Sequence, residues 1–129
     1  MKVCLFGGTF DPPHLGHLII AQTIFEAENF DQIVFVPAYQ PPHKNGMKIS
    51  PVDQRLEMLN IAIKENPNFI MSDLEIERKG LSYSIDTIME YKKQNNLNSN
   101  ELFYLMGSDS LRQFKKWKDP KMIIDESRV

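Results

Sequence analysis

Two glycines and two histidines near the start of the 129-residue sequence have the types and spacing needed to hold a phosphoryl group. Gly7 and Gly8 let the backbone approach a phosphate closely and expose its N–H groups. His14 and His17 stand three residues apart in the predicted first turn of a helix, so their imidazoles project to the same side. The N-terminus of that helix adds the positive end of its dipole. The stretch therefore predicts a phosphoryl site built from backbone amides and two imidazole donors.

The complete stretch is more specific than a glycine pair alone. It reads Gly-Thr-Phe-Asp-Pro-x-His-x-Gly-His from Gly8 to His17, and Gly16 removes a side chain where a nucleotide base or sugar would pack. By residue frequencies, such a combination arises by chance on the order of once in a hundred million chains of this length. It is neither the dinucleotide-binding GxGxxG nor a GxxxxGK(S/T) phosphate loop, because no lysine follows the glycines.

Two cations further along the chain are candidate partners for anionic substrates. Lys44 lies in a proline-rich segment, residues 36–46, where a point charge could clamp a phosphate. The alternative for Lys44 is an ordinary surface lysine. Arg55, at the start of the second predicted helix, is either a structural ion-pair partner or a substrate contact.

These residues must be positioned by a parallel α/β sheet. Apolar runs typical of buried strands recur at residues 3–6, 33–36, 69–72 and 102–106, each followed by a stretch with helical spacing. That alternation predicts parallel strands, whose carboxyl ends meet at one edge where such folds bind ligands.

The predicted helices begin near Leu15, after Ser50 and near Ser84. Ser50 is expected to cap the second helix, with Pro51 at its first helical position and Asp53 in its first turn. The residues expected to face inward are Leu18, Ile19, Gln22, Phe25 and Ala27 on the first helix, Leu56, Leu59 and Ile63 on the second, and Ile85, Ile88 and Met89 on the third.

Composition limits the remaining possibilities. The chain is 42% hydrophobic and 25% charged with a net charge of −2, which predicts a single domain over residues 1–129. We expect no nucleic-acid partner and no membrane span, because no basic excess and no long apolar run are present. Cys4 lies in an apolar run, so a buried core thiol is expected, and a lone cysteine fits a reducing, cytoplasmic location.

The motif resembles the (T/H)xGH signature of the nucleotidyltransferase superfamily, and the whole chain resembles the bacterial nicotinate-nucleotide adenylyltransferases. The segments that carry this second resemblance are residues 8–17, 41–44, 80–87 and 107–109, with Arg55, Phe114 and Trp117. Pantetheine-phosphate adenylyltransferases usually have Thr where His14 stands, and cytidylyltransferases lack the later segments. The resemblance implies a Rossmann-like parallel sheet flanked by helices.

It also implies transfer of the adenylyl group of ATP to nicotinate mononucleotide, which yields deamido-NAD and pyrophosphate. The attacking phosphate oxygen is already ionised at neutral pH, so no general base is required. Catalysis would consist of alignment and charge stabilisation by His14 and His17, with Mg²⁺ carried by ATP.

The resemblance assigns binding residues to two groups. Those expected to bind ATP or its phosphates are Gly7, Gly8, Thr9, Phe10, Gly16, Lys44, Gly107 and Asp109. Those expected to bind the nicotinate nucleotide are Tyr83, Ser84, Trp117 and Arg55. Asp109 would accept hydrogen bonds from ribose hydroxyls and Trp117 would stack on the pyridine ring; the alternatives are turn geometry and covering of the core. No residue is assigned as a metal ligand.

The sequence departs from the family near its end. The resembled enzymes continue with a further strand and an Ile-Ser-Ser-Thr-x-x-Arg motif, which is not found in these 129 residues. We therefore expect a C-terminally short domain that is completed by a further segment or by a partner, including a second copy. Two alternatives stay open: a non-catalytic or complementation-dependent nucleotide-binding domain, and an adenylyltransferase that acts on nicotinamide mononucleotide.

Overall fold

Four apolar segments pair side by side as parallel strands in the computed structural model, which describes residues 2–8, 10–11, 13, 15–39, 49–80, 83–105 and 114–127. The strands are β1 (Val3–Gly8), β2 (Gln32–Pro37), β3 (Phe69–Met71) and β4 (Leu102–Leu105). The helices are α1 (Leu15–Ala27), α2 (Val52–Ile63), α3 (Leu74–Arg78), α4 (Ser84–Asn95) and α5 (Pro120–Glu126), with a short 3-10 helix at Phe114–Lys116. The predicted α/β class is confirmed.

The sheet has the strand order β3-β2-β1-β4, so β1 is an inner strand with a parallel neighbour on each side. Gly8 at the end of β1 pairs with Pro37 of β2, and Phe6 pairs with Leu105 of β4. This register brings the carboxyl ends of three strands to the same edge of the sheet. The last residues of these strands, Gly8, Pro37 and Leu105, therefore lie at one edge of the sheet.

Alternate residues of each strand supply two hydrophobic cores on opposite faces of the sheet. One core joins Val3, Leu5 and Leu102 to residues of α3, α4 and α5. The other joins Cys4 and Phe35 to residues of α1 and α2. Because both faces of the sheet are covered, the strands are apolar at consecutive positions. Their positions could therefore be predicted from the sequence.

Some residues expected to face inward are exposed. In α1 the small Ala21 is fully buried against the sheet, whereas Ile19 is 55% exposed and Ala27 is exposed. At 100° per residue Ile19 points away from Ala21, so its assignment to the buried face was wrong. In α4 the buried face centres on Ile88 and extends to Thr87, and Met89 on the far side is 40% exposed.

The start of α2 also differs from the prediction. Pro51 is the N-cap residue and not the first helical residue, and no side chain caps the helix. The inward stripe of α2 is Arg55, Leu59 and Ile63, four residues apart, while Leu56 is only partly buried. A cation therefore occupies a position where an apolar residue was expected.

Two short helices were not anticipated. Leu74 of α3 and Ile123 of α5 are both buried in the core that contains α4. Helices of five and seven residues show too few turns for their spacing to be recognised. Every helix in the described ranges is too short or too polar to pass through a lipid bilayer.

Candidate active site

The candidate site has two halves, one on each face of the sheet at the carboxyl end of β1. Gly7 and Gly8 face different halves, because successive residues of a strand face opposite sides of the sheet. A Cβ at position 7 would lie 3.1 Å from Oη of Tyr104, on the side of α4. A Cβ at position 8 would lie 3.3 Å from Cζ of Phe10, on the side of α1. Both glycines are therefore closely covered by a ring, each from a different face.

His17 lies in the first turn of α1, in the half of the site that contains Gly8. Its imidazole packs edge-on against Phe10, with ring centroids 5.1 Å apart and planes at 80°. Phe6 contacts the same imidazole at 5.9 Å and 72°. Two phenyl rings thus fix the orientation of the imidazole at the edge of the sheet where β1 ends.

Phe10 is part of the core that supports this histidine. Its side chain is 3% exposed and also contacts Phe35 at 5.7 Å. The residue has a φ of 51°, in the left-handed region that residues other than glycine seldom adopt. That backbone turns the ring inward beneath Gly8. A phosphate contact of Phe10, as the sequence predicted, would have to come from its backbone.

Arg55 joins the backbone segments around this half of the site. It is 1% exposed, and its guanidinium donates hydrogen bonds to the carbonyl of Ala38 at 2.6 Å and the carbonyl of Ser50 at 3.1 Å. The N–H of Ser50 donates to the Asp11 carboxylate at 2.8 Å, and the N–H of Ala38 donates to the carbonyl of Gly8 at 2.9 Å. Through these hydrogen bonds, Arg55 is linked to both Gly8 and Asp11.

Burial lowers the pKa of Arg55, and the negative charge of Asp11 opposes that shift. Arginine keeps its proton at any physiological pH, so the side chain remains a buried cation. Both of the hydrogen bonds described above end on main-chain carbonyls. Arg55 therefore supports the surrounding main chain, while its predicted roles, an ion-pair partner or a contact of the nicotinate nucleotide, stay predictions.

Tyr104 occupies the corresponding place in the other half of the site. Its hydroxyl is 2.8 Å from Oγ of Ser84, the first residue of α4. Its ring packs edge-on against Trp117, at 6.1 Å and 87°. Burial raises the pKa of Tyr104 to about 12. One neutral phenol therefore contacts Ser84, Trp117 and the edge of β1 at Gly7.

The aromatic residues predicted to bind the nicotinate nucleotide lie close to the start of α4. Trp117 is partly buried and also packs against Phe114 at 5.4 Å. Tyr83 precedes α4, and the ammonium group of Lys118 lies 4.9 Å from its ring centroid. Lys118 also forms an ion pair with Asp86 at 3.1 Å. The structure thus brings Tyr83, Ser84 and Trp117 together, while leaving their binding roles as predictions.

Several predicted site residues lie outside the described residues. These are Thr9, His14, Lys44, Gly107 and Asp109. Gly16 is described and lies within α1, partly exposed. Within the described ranges, no group of three or more His, Cys, Asp or Glu side chains is arranged to hold a metal ion.

Tyr104 and Asp11 take part in the contacts around the candidate site, and neither was among the site residues predicted from the sequence. Period-two alternation along β4 would have placed Tyr104 on the same face as Leu102, toward α4. Asp11 lay within the recognised motif, but its bond to Ser50 spans 39 residues and left no local signal.

A parallel sheet with two adjacent glycines and an imidazole at its carboxyl edge is typical of α/β proteins, a class in which ligands commonly bind at that edge. The family pattern that matches residues 5–129 is described as cytidylyltransferase-like. The chain therefore belongs to the cytidylyltransferase-like family.

Two relatives similar to this chain have the same name. The chain is 42% identical to a "Probable nicotinate-nucleotide adenylyltransferase" of Aquifex aeolicus, over 97% of this chain and 73% of that protein. It is 40% identical to a protein of the same name from Thermomicrobium roseum, over 96% of this chain and 57% of that protein. The chain thus spans between about half and three quarters of the curated relatives it matches. The resemblance stated from the sequence is confirmed.

A solved structure supports the fold. The Plasmodium falciparum nicotinic acid mononucleotide adenylyltransferase complexed with NaAD superimposes with a TM-score of 0.78 at 18% identity, over 95% of this chain and 60% of that one. At that identity the likeness concerns the fold, and the expected Rossmann-like arrangement is confirmed.

Proposed function

We propose that this chain carries out adenylyl transfer from ATP to nicotinate mononucleotide, forming deamido-NAD and pyrophosphate. The observation that carries the proposal is His17, whose imidazole is held by Phe6 and Phe10 beside Gly8 at the carboxyl edge of the sheet. The names of the relatives described above supply the reaction. Both substrates are charged, soluble nucleotides, in keeping with the cytoplasmic location expected from the sequence.

The proposed reaction needs alignment and charge stabilisation. A phosphate oxygen of the mononucleotide forms a bond to the α-phosphorus of ATP, and the bond from that phosphorus to the bridging oxygen breaks to release pyrophosphate. The attacking oxygen is already ionised, so the step needs no proton acceptor. His17, with His14, would donate hydrogen bonds to the phosphoryl oxygens as charge develops there. Mg²⁺ would arrive with ATP and neutralise its triphosphate.

The two halves of the site suggest how the substrates divide. We assign ATP and its phosphates to the half with Gly8 and His17, supported by the supply of N–H groups where β1 ends and α1 begins. The other residues that we propose bind ATP or its phosphates are Thr9, Phe10, Gly16, Lys44, Gly107 and Asp109, together with the backbone of Gly7, whose Cα faces the other half. We assign the pyridine nucleotide to the half with Tyr83, Ser84 and Trp117, because aromatic rings and the start of α4 meet there.

The test is pyrophosphate release from ATP in the presence of nicotinate mononucleotide. His17→Ala is expected to lower turnover by about 10²- to 10³-fold, the usual effect of removing one donor to a developing oxyanion. Thr23→Ala, an exposed change on the same helix, is the matched control and should keep full turnover. Circular dichroism should show both variants folded. Near-normal turnover of folded His17→Ala would contradict the assignment.

The same assay separates the alternatives. A non-catalytic or complementation-dependent domain would bind ATP or nicotinate mononucleotide without releasing pyrophosphate. An enzyme specific for nicotinamide mononucleotide would release pyrophosphate faster with that acceptor. Rates measured side by side with the two mononucleotides therefore distinguish all three hypotheses.

A further inference from the structure

We propose that Arg55 is a positioning residue for adenylyl transfer, and that it acts through the main chain on the half of the site that contains Gly8 and His17. Its guanidinium holds two main-chain segments, and these segments hold the residues that support the imidazole. The inference rests on the proposed function and assigns Arg55 an effect on turnover, whereas a direct contact with the nicotinate nucleotide would affect binding of that substrate.

Arg55 connects two segments that are distant in the chain. Its Nη1 donates to the carbonyl of Ala38 at 2.6 Å, and its Nε donates to the carbonyl of Ser50 at 3.1 Å. Ala38 directly follows β2, and Ser50 lies just before α2. The side chain of Arg55 is 1% exposed, so a carbonyl that loses this donor has little access to water. One rigid, planar group therefore fixes the two segments relative to each other.

The same two residues donate hydrogen bonds to the phosphate half of the site. The N–H of Ala38 donates to the carbonyl of Gly8 at 2.9 Å, and the N–H of Ser50 donates to the Asp11 carboxylate at 2.8 Å. Ala38 and Ser50 thus each accept a hydrogen bond from Arg55 and donate one to the motif. Gly8 and Asp11 are therefore both held at positions that depend on Arg55.

Phe10, which lies between these two residues in the chain, needs such support. Its φ of 51° falls in the left-handed region, and a residue other than glycine stays there only when its surroundings hold it. Its ring packs edge-on against the imidazole of His17, with centroids 5.1 Å apart. If the hydrogen bonds to Gly8 and Asp11 weaken, the Phe10 backbone can relax and its ring can move. The imidazole of His17 then loses part of its support.

Arg55→Lys tests the kinetic consequence. Lysine keeps the positive charge but cannot reproduce both guanidinium hydrogen bonds. Because misplacement of a catalytic donor by about 1 Å can cost about 10²-fold in rate, we expect kcat to fall by about that factor. KM for nicotinate mononucleotide should stay within about twofold of wild type, since the lost interaction acts in the transition state. A raised KM for this substrate with unchanged kcat would indicate a direct contact and overturn the inference.

The control must lower stability without touching the two carbonyls. Ile63→Ala removes a buried side chain from the same stripe of α2, about two turns after Arg55. Both variants should unfold at lower urea concentration than wild type. Folded Ile63→Ala should keep the wild-type kcat and both KM values. An equal fall of kcat in the two variants would mean that lost stability explains the effect, and would overturn the inference.

Asp11 provides a second test at an exposed position, where substitution leaves the core intact. Asp11→Ala removes the acceptor of the Ser50 N–H, and we expect kcat to fall about tenfold, the effect of one hydrogen bond to a charged group. Asp11→Asn keeps an acceptor oxygen and should recover most of this loss. The double variant of Asp11→Ala with Arg55→Lys should be no slower than Arg55→Lys alone, because both changes interrupt one linkage.

Three kinetic results overturn the inference while the proposed function stands. The first is wild-type kcat in folded Arg55→Lys. The second is an Asp11→Asn variant as slow as Asp11→Ala. The third is a fully additive loss in the double variant.

The imidazole of His17 gives a readout that does not depend on turnover. The rings of Phe6 and Phe10 shift its proton resonances in NMR spectra, and the spectrum of His17→Ala identifies them among the three histidines of the chain. In Arg55→Lys these resonances should move toward those of a free imidazole, and in Ile63→Ala they should stay in place. Unmoved resonances in Arg55→Lys overturn the inference. A wild-type chain that releases no pyrophosphate overturns the proposed function, and the assignment of Arg55 to adenylyl transfer with it.

Discussion

Gly7 and Gly8 lack side chains for different reasons, although they are adjacent in β1. A Cβ at Gly8 would press on the Phe10 ring that supports His17, and a Cβ at Gly7 would press on the Tyr104 hydroxyl that is bonded to Ser84. The first contact belongs to the phosphate half of the site and the second to the half assigned to the pyridine nucleotide. Each glycine therefore keeps a different ring in place.

Gly7→Ala tests the second of these contacts. The new methyl group would lie 3.1 Å from a hydroxyl oxygen held by Ser84, so we expect a destabilisation of about 1–2 kcal/mol from overpacking. Urea denaturation would measure the free energy of unfolding.

The same change in a Tyr104→Phe background supplies the control. Without the phenolic oxygen the clash disappears, and Gly7→Ala should then be close to neutral, because alanine also restricts the unfolded chain. Equal losses of stability in the two backgrounds would show that the Tyr104 hydroxyl does not limit the space at Gly7.

At the scale of elements, α2 is unusual in directing a cation inward. Arg55 occupies the same stripe as Leu59 and Ile63, and its hydrogen bonds to Ala38 and Ser50 tie the end of β2 to the start of the helix. The N–H of Ser50 in turn donates to the Asp11 carboxylate, three residues after Gly8 in the chain. The helix thus contributes to the site through main-chain hydrogen bonds as well as through packing.

Arg55→Lys keeps the positive charge and removes the guanidinium group, which donates two hydrogen bonds in different directions. A lysine presents one ammonium group and cannot reproduce both guanidinium hydrogen bonds, so a buried carbonyl loses its donor. We expect a destabilisation of about 2–3 kcal/mol, measured by chemical denaturation.

Lys64→Met, at the exposed C-cap of the same helix, serves as the comparison and should change stability by less than about 0.5 kcal/mol. If Arg55→Lys proves as mild as Lys64→Met, the two carbonyl contacts do not stabilise this part of the fold.

The sheet at the centre of the molecule is covered on both faces. The pKa of Cys4, on β1, depends on how well one of these faces is buried. The thiol is 2% exposed, and burial raises its pKa from 9.0 to about 12. The folded protein therefore keeps a proton that the unfolded chain loses above about pH 9. The resulting stabilisation is complete below pH 9 and is lost as the pH rises toward 12.

Cys4→Ala removes this pH dependence together with the thiol. Between pH 8 and pH 10.5 the wild-type chain should lose about 2 kcal/mol more of its unfolding free energy than Cys4→Ala does, at roughly 1.4 kcal/mol per pH unit above the pKa of the unfolded thiol. Urea titrations at the two pH values measure the difference, and tyrosine titration cancels because both proteins contain the same tyrosines. Parallel losses in both proteins would contradict the burial of Cys4 against the sheet.

The parts of the fold that could be predicted from the sequence are those whose sequence pattern does not depend on distant residues. Four apolar runs separated by helical spacing determined a parallel sheet, because strands buried on both faces cannot carry polar residues. The motif from Gly8 to His17 and the later matching segments carried the resemblance to the family, because each is a short stretch that can be recognised without distant residues. The helical spacing of apolar residues was a less reliable guide to the buried face of each helix, as the exposed Ile19 and Met89 show. The neighbouring elements decide which part of a helix is covered.

Only the tertiary structure decided how the site is supported. The sequence left Arg55 as either an ion-pair partner or a substrate contact, because its hydrogen-bond partners Ala38 and Ser50 lie next to the ends of two different elements. Tyr104 meets Ser84 from 20 residues away and approaches Gly7 from the neighbouring strand. These contacts depend on the register of β1 against β4 and on the placement of α4, which arise from packing of the whole sheet. The sequence by itself therefore determined the sheet and its chemical motif, and tertiary packing decided which side chains hold that motif in position.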